Sequence, residues 1–152
     1  MEVFRLSRKK WANMLTGHGA ALKGGRWNSP GTEIIYTSCN RSLAMAEVAV
    51  HFSLATLPDD YRMVTIYIPE EIPIKAIPEK NLPYGWNSFP YGNAIKNHGD
   101  EFIRKNKYCL LKVPSAITKG DHNILINPFH PDFKYVKITH NDPFPLDRRI
   151  LK

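Results

Sequence analysis

The apolar positions of this chain change period along its length, and the changes mark its elements. Residues 62–68 (RMVTIYI) alternate, with Val64, Ile66 and Ile68 set against Thr65 and Tyr67, which predicts a half-buried strand. Residues 34–38 (IIYTS) predict another from their β-branched and aromatic content. Shorter strands are expected at 3–6, 110–113, 124–126 and 135–138. A helical period replaces the alternation in SLAMAEVAVHFSLA, residues 42–55, where Ser42 is the expected cap and Pro58 the stop. Ser7 is the expected cap of a short helix through Met14, and a polar helix is expected at 93–106, weakened by Gly99. Residues 17–31 hold five of the nine glycines and predict a loop whose backbone turns sharply or approaches something closely. Strands and helices alternate without a βαβ rhythm, so the class expected is α+β rather than a doubly wound sheet.

At 152 residues the chain reads as one domain, 1–152, long enough to bury a core without staples. No apolar run follows the basic residues of MEVFRLSRKKW, and no stretch approaches the roughly 20 apolar residues of a membrane helix. Cys39 and Cys109 make neither a disulfide framework nor a metal motif. A cytoplasmic protein is expected. The net charge of +7 calls for an acidic partner, such as a phosphate-bearing small molecule, nucleic acid or an acidic protein. Its basic knots, Arg8-Lys9-Lys10, Arg104-Lys105-Lys107 and Arg148-Arg149, are short, and each by itself reads as solvated surface.

Several familiar sites are excluded. Gly17-His18-Gly19 lacks the third glycine and preceding strand of a dinucleotide fingerprint, and no GxxxxGK[ST] loop is present. His98 and Glu101 have no second histidine to complete a zinc spacing, so no metal site is expected. Glu47 departs from plain folding logic. Leu43, Glu47, Val50 and Leu54 form one helical stripe, and burying a lone carboxylate there costs roughly several kcal/mol. An ion pair with an arginine and a catalytic role explain Glu47 equally well on pattern alone. Arg26, after two glycines, suits a diphosphate because its planar fork bonds two oxygens at once; pairing with Glu47 or a carbonyl is the plainer reading. Tyr36, Ser115 and Asn127 taken singly read as a core tyrosine, a turn hydroxyl and part of a rigid turn.

Taken together these segments carry more. Gly25-Arg26-Trp27-Asn28-Ser29-Pro30-Gly31, then Tyr36-Thr37-Ser38, a helix with Ala46-Glu47-Val48 and His51-Phe52, Val113-Pro114-Ser115-Ala116 and Asn127-Pro128-x-His130-Pro131-Asp132-Phe133 resemble, in order and spacing, the RES domain. The resemblance runs from about Val3 to Phe133. It implies a fold like that of ADP-ribosyltransferases, with short mixed strands around a central cleft and peripheral helices. It also implies a toxin of a two-gene module that depletes NAD⁺, neutralised by an Xre-type antitoxin with a helix-turn-helix part. By that resemblance Arg26, Tyr36, Glu47 and Ser115 form the catalytic site, with NAD⁺ as substrate and no bound cofactor.

The residues suit that chemistry. Cleaving the nicotinamide–ribose bond develops a ribosyl cation like the oxocarbenium of glycoside hydrolysis, which the Glu47 carboxylate would stabilise. Tyr36 would stack on nicotinamide, Arg26 would hold the diphosphate, and Ser115 would offer a hydroxyl to the ribose or carboxamide. Arg5 on the first strand is a rival phosphate contact, and Asn127 lines the same cleft or only shapes a turn. An ADP-ribosyltransferase using the same residues on a macromolecule is the alternative. A nucleic-acid-binding module ranks below both, because the chain offers no aromatic-basic strand or recognition helix. Homodimerisation stays open, with no self-complementary patch identified.

Overall fold

The computed structural model describes residues 1–151. Its strands are β1 (Glu2–Arg8), β2 (Ile35–Ser38), β3 (Tyr61–Tyr67), β4 (Ile74–Ala76), β5 (Leu110–Pro114), β6 (His122–Ile126) and β7 (Lys137–Pro143). Its α-helices are α1 (His18–Lys23), α2 (Arg41–Ala49) and α3 (Asn93–Lys105). Among the described residues the strands form one seven-stranded sheet in the order β4-β5-β6-β2-β1-β3-β7, antiparallel except for the parallel β4/β5 pair. The α+β class expected from the sequence is the one found. No helix among the described residues is long and apolar enough to cross a membrane.

Strand alternation sorts the core into two faces. On one, Val3, Ile35, Val64, Ile66, Leu110, Ile124 and Ile126 pack under loop and turn residues such as Ala12, Ile72 and Val136. On the other, α2 lays Ala44 over Phe4, Leu6, Tyr61 and Met63. Beside it, α3 lays Ile95 and Phe102 over Leu111, Val113 and Leu125. The two helices therefore cover opposite flanks of one face. Between them the central strands β2 and β6 form a floor, on which Tyr36 pairs with Leu125 and Ser38 with Asn123.

Local signals were overridden where long-range pairing competed. All seven residues of β1 find partners in β3, down to Arg8 opposite Tyr61, so Ser7 lies in the strand and caps no helix. Only a 3-10 turn, Lys9–Trp11, remains of the expected helix. The glycine-rich stretch contains α1, a six-residue helix stopped at Gly24, whose φ of 73° is readily open only to a residue without Cβ. Asn40, not Ser42, caps α2 by accepting the Leu43 N–H at 2.8 Å. That helix ends at Ala49, well before Pro58, because Val50, His51, Phe52 and Ser53 are all weak helix formers. Val50 and Leu54 are accordingly exposed, which dissolves the lower half of the expected apolar stripe. The 93–106 helix forms as expected, closed by Asn106 at φ 50°. Tyr135 belongs to a 3-10 turn (Pro131–Tyr135), so the last strand starts later and runs further than expected, to Pro143 along β3. The short, exposed β4 carries too little pattern to have been anticipated.

Candidate active site

The Gly25–Gly31 loop is built around Tyr36. Its phenol donates to Asn28 Oδ1 at 2.6 Å and accepts the Trp27 N–H at 3.1 Å. Asn28 is fully buried and sends its amide protons to the carbonyls of Ala20, Ser29 and Thr32, so one side chain closes the whole turn. A Cβ on Gly25 would stand 2.9 Å from the Tyr36 hydroxyl, which is why glycine precedes Arg26. From α3, Asp100 accepts the Ser29 N–H at 2.8 Å and its hydroxyl at 2.5 Å. Burial raises the Tyr36 pKa, holding the ring as a neutral phenol.

Arg26 projects from this loop into the cleft. Its Nη1 donates to the carbonyls of Trp86 (3.0 Å) and Ser88 (2.8 Å), and its guanidinium lies 4.8 Å from the Tyr91 ring centroid. Partial burial lowers its pKa, and the neighbouring Tyr91, Glu47 and Tyr36 side chains oppose that shift. Among the described residues Arg26 and Glu47 form no ion pair, and the fork's remaining nitrogens have no hydrogen-bond partner.

Glu47 reaches down from α2 to the floor. Its Oε1 accepts the Asn123 amide at 2.7 Å and a long 3.4 Å contact from the Ser115 hydroxyl. Ser115, just past β5, is itself fixed by the N–H groups of Ile117 (3.1 Å) and Thr118 (3.0 Å), which donate to its Oγ. Behind Asn123, the buried Ser38 hydroxyl donates to Asn123 Oδ1 at 2.8 Å. Thus the arginine partner that would have made Glu47 a structural ion pair is replaced by neutral donors, both on one oxygen.

Arg26, Tyr36, Glu47 and Ser115 come together on the helix-covered face. Arg5 and Asn127 do not join them: Arg5 lies away from this cluster, and of the two roles open to Asn127 the structure shows the turn. Arg5 pairs with Val64 and so points to the opposite face, where its Nη2 donates to the carbonyls of Met14 (2.8 Å) and Trp11 (3.4 Å). It pins the segment after β1. Asn127 follows the far end of β6, roughly 13 Å from Asn123 at about 3.3 Å per residue. Fully buried, it shapes the turn by accepting the Phe129 N–H (2.9 Å) and donating to Asn106 Oδ1 (2.7 Å). Sequence reasoning missed Asn28, Ser38, Asn123 and Asp100. For Asn123 a signal existed: an amide is out of place in the apolar strand HNILI.

Size and charge alone would have pointed elsewhere. A cavity of about 410 Å³ lies between β4 and α3, lined by Lys75, Ile77, His98, Phe102 and Tyr108, and includes none of the four residues. The basic knots are tied up on the surface, Arg8 with Asp60, Lys105 with Glu101 and Arg149 with Asp147.

Comparison with known proteins places this geometry in a family. The chain is 36% identical over 143 residues to the "Prs ADP-ribosylating toxin" of a Sphingobium species, spanning 93% of this chain and 89% of that protein. It is 34% identical to "Toxin Res" of Photorhabdus laumondii, spanning 100% of this chain and 98% of the relative. Its fold matches a chain of the Mycobacterium tuberculosis MbcT–MbcA toxin–antitoxin complex with a TM-score of 0.72 at 18% identity, covering 98% of this chain and 85% of that one. The family model of the RES domain matches residues 2–147, and the chain belongs to the RES-domain family.

Proposed function

We propose that this protein is a toxin that cleaves NAD⁺ at its nicotinamide–ribose bond, with water or phosphate accepting the ADP-ribose. The observation that carries the reading is Glu47: a half-buried carboxylate without a cationic partner among the described residues, held by Asn123 and Ser115 through one oxygen. Its other oxygen is the one to face the ribosyl cation or a ribose hydroxyl. Arg26, with part of its fork unused, holds the diphosphate and fixes the dinucleotide in register. The half-buried ring of Tyr36 supports the nicotinamide, and the Ser115 hydroxyl, aimed at Glu47, reaches the same ribose.

A second reading rests on the name of the Sphingobium relative: transfer of ADP-ribose to a macromolecule by the same four residues. The two differ only in the acceptor. In either case an Xre-type antitoxin would neutralise the protein in the cytoplasm by covering the cleft, and the toxin names of the relatives and the complex seen for the structural neighbour support such a partner. The deciding experiment follows nicotinamide release from NAD⁺ by the purified protein, with and without cell extract. Release without extract supports hydrolysis or phosphorolysis, and release only with extract supports transfer. Glu47→Gln keeps an oxygen for Asn123 but loses the charge, so a folded variant should drop turnover on the order of 10²-fold or more. Near-wild-type turnover in that variant would remove Glu47 from the mechanism.

A further inference from the structure

Asn123 is given no contact with substrate in the chemistry described so far, yet it is built into the floor of the cleft. It is 7% exposed, on a central strand paired with Ser38 of β2 and Val113 of β5. An amide there is costly unless hydrogen-bonded, and strands disfavour it. Both of its ends are engaged. A carboxylate only accepts, so the atom facing Glu47 must be the NH₂ group; Oδ1 then faces Ser38, which must donate. Ser38, Asn123 and Glu47 thus form a chain with a single direction.

Glu47 needs such a donor. It lies in the last turn of α2, where the carbonyl end of the helix disfavours negative charge. The Ser115 contact is long, so the Asn123 N–H at 2.7 Å is the stronger of the two bonds. Resting on the NAD⁺-cleaving reading of this site, we propose that Asn123, clamped by Ser38, is a positioning residue that holds the Glu47 carboxylate in its reactive rotamer.

Two measurements test this. The first is independent of turnover: the NMR chemical shift of the Glu47 carboxyl carbon at one fixed pH, which reports the bond it accepts from Asn123. Removing the donor in Asn123→Ala should move that resonance, and Ser38→Ala should move it in the same sense by less. The second is kcat and KM for nicotinamide release against pH. Asn123→Ala should lower kcat about tenfold to a hundredfold, with KM changing less than about threefold. Ser38→Ala, which frees the amide to turn, should lower kcat in the same sense by less, and it carries the test should Asn123→Ala not fold.

Asn123→Asp adds a diagnostic. At low pH the two carboxyls share a proton and the donor is restored; at high pH both ionise and repel. Its kcat should therefore fall as pH rises, a limb absent from wild type and Asn123→Ala. Arg26 from the glycine loop is close enough to feel the Glu47 charge, and Tyr36 on β2 and Tyr91 lie beside Arg26. His51 beyond α2 and His122 at the start of β6 are further neighbours along the chain. All five are present in every variant, so they cannot produce a limb confined to Asn123→Asp. An unmoved Glu47 resonance in Asn123→Ala, or an Asn123→Asp loss equal at every pH, overturns the positioning role. A resonance moved by Asn123→Ala, with a wild type that releases no nicotinamide, keeps the contact and overturns the NAD⁺ reading.

Discussion

At Gly99 the tertiary structure opposes what helix propensity alone would favour. The residue sits mid-way along α3, where alanine is ordinarily better by about 1 kcal/mol. Here a Cβ would stand 1.8 Å from the Trp27 carbonyl oxygen and 2.9 Å from its carbon, both backbone atoms that no rotamer change can move. Ordinary contact needs about 3.5 Å, so α3 or the Trp27 loop must retreat by well over an ångström. Retreat loosens Trp27 from Trp86, whose rings lie 6.1 Å apart, and strains the Ser29–Asp100 bonds. Overpacking of this kind costs about 1–3 kcal/mol, and with two polar contacts disturbed Gly99→Ala should be destabilised by a net of about 2 kcal/mol. That corresponds to a fall in Tm of roughly 4–8 °C for a chain of this size. Gly19 in α1 is the control: a Cβ there meets nothing within 4 Å, so Gly19→Ala should be neutral or stabilising by up to about 1 kcal/mol. Thermal and urea unfolding of both variants decide the matter. A Gly99→Ala protein as stable as wild type would refute the close-approach argument and the loop placement that rests on it.

Three further outcomes are expected. Arg26→Lys keeps the charge but loses the planar fork, so titration calorimetry on a Glu47→Gln background should show weaker NAD⁺ binding, about tenfold; unchanged affinity would place the phosphate contact elsewhere. Because burial raises the Tyr36 pKa, the folded state keeps a proton that the unfolded chain releases near pH 10, so stability should decline above about pH 10. Tyr36→Phe should lack that part of the decline, and it should be destabilised at pH 7 by about 1–3 kcal/mol because Asn28 Oδ1 loses its donor, both read from urea midpoints against pH. Ellman's reagent should label exposed Cys39 in the native protein and reach Cys109, whose thiol burial pushes up to about 12, only on unfolding; rapid native labelling of both would contradict the packing around Cys109.

Much of the fold was legible in the residues themselves. Periodicity located β2, β3, β5, β6 and α3 because each carries its own pattern within one short window. Glu47 stood out because a carboxylate among alanines and valines demands a reason, and Arg26 because glycines leave a guanidinium room to act. The tertiary structure decided what those windows could not contain. It set how far β1 runs, since its end depends on a ladder with β3 more than fifty residues away.

The site divides in the same way. Alternation alone put Arg5 with Val3 and against Phe4 and Leu6, but only the docking of α2 on Phe4 and Leu6 makes theirs the face of the cleft. Asn127 lies just beyond the strand that carries Asn123, yet the residues between them carry it out of reach of Glu47. Asn123 and Ser38 became part of the site through register, a pairing of two strands remote in sequence that no local pattern encodes. The chain thus names its chemically unusual side chains by itself, whereas their company is fixed by long-range pairing, whose energy is shared among segments that never meet in the sequence.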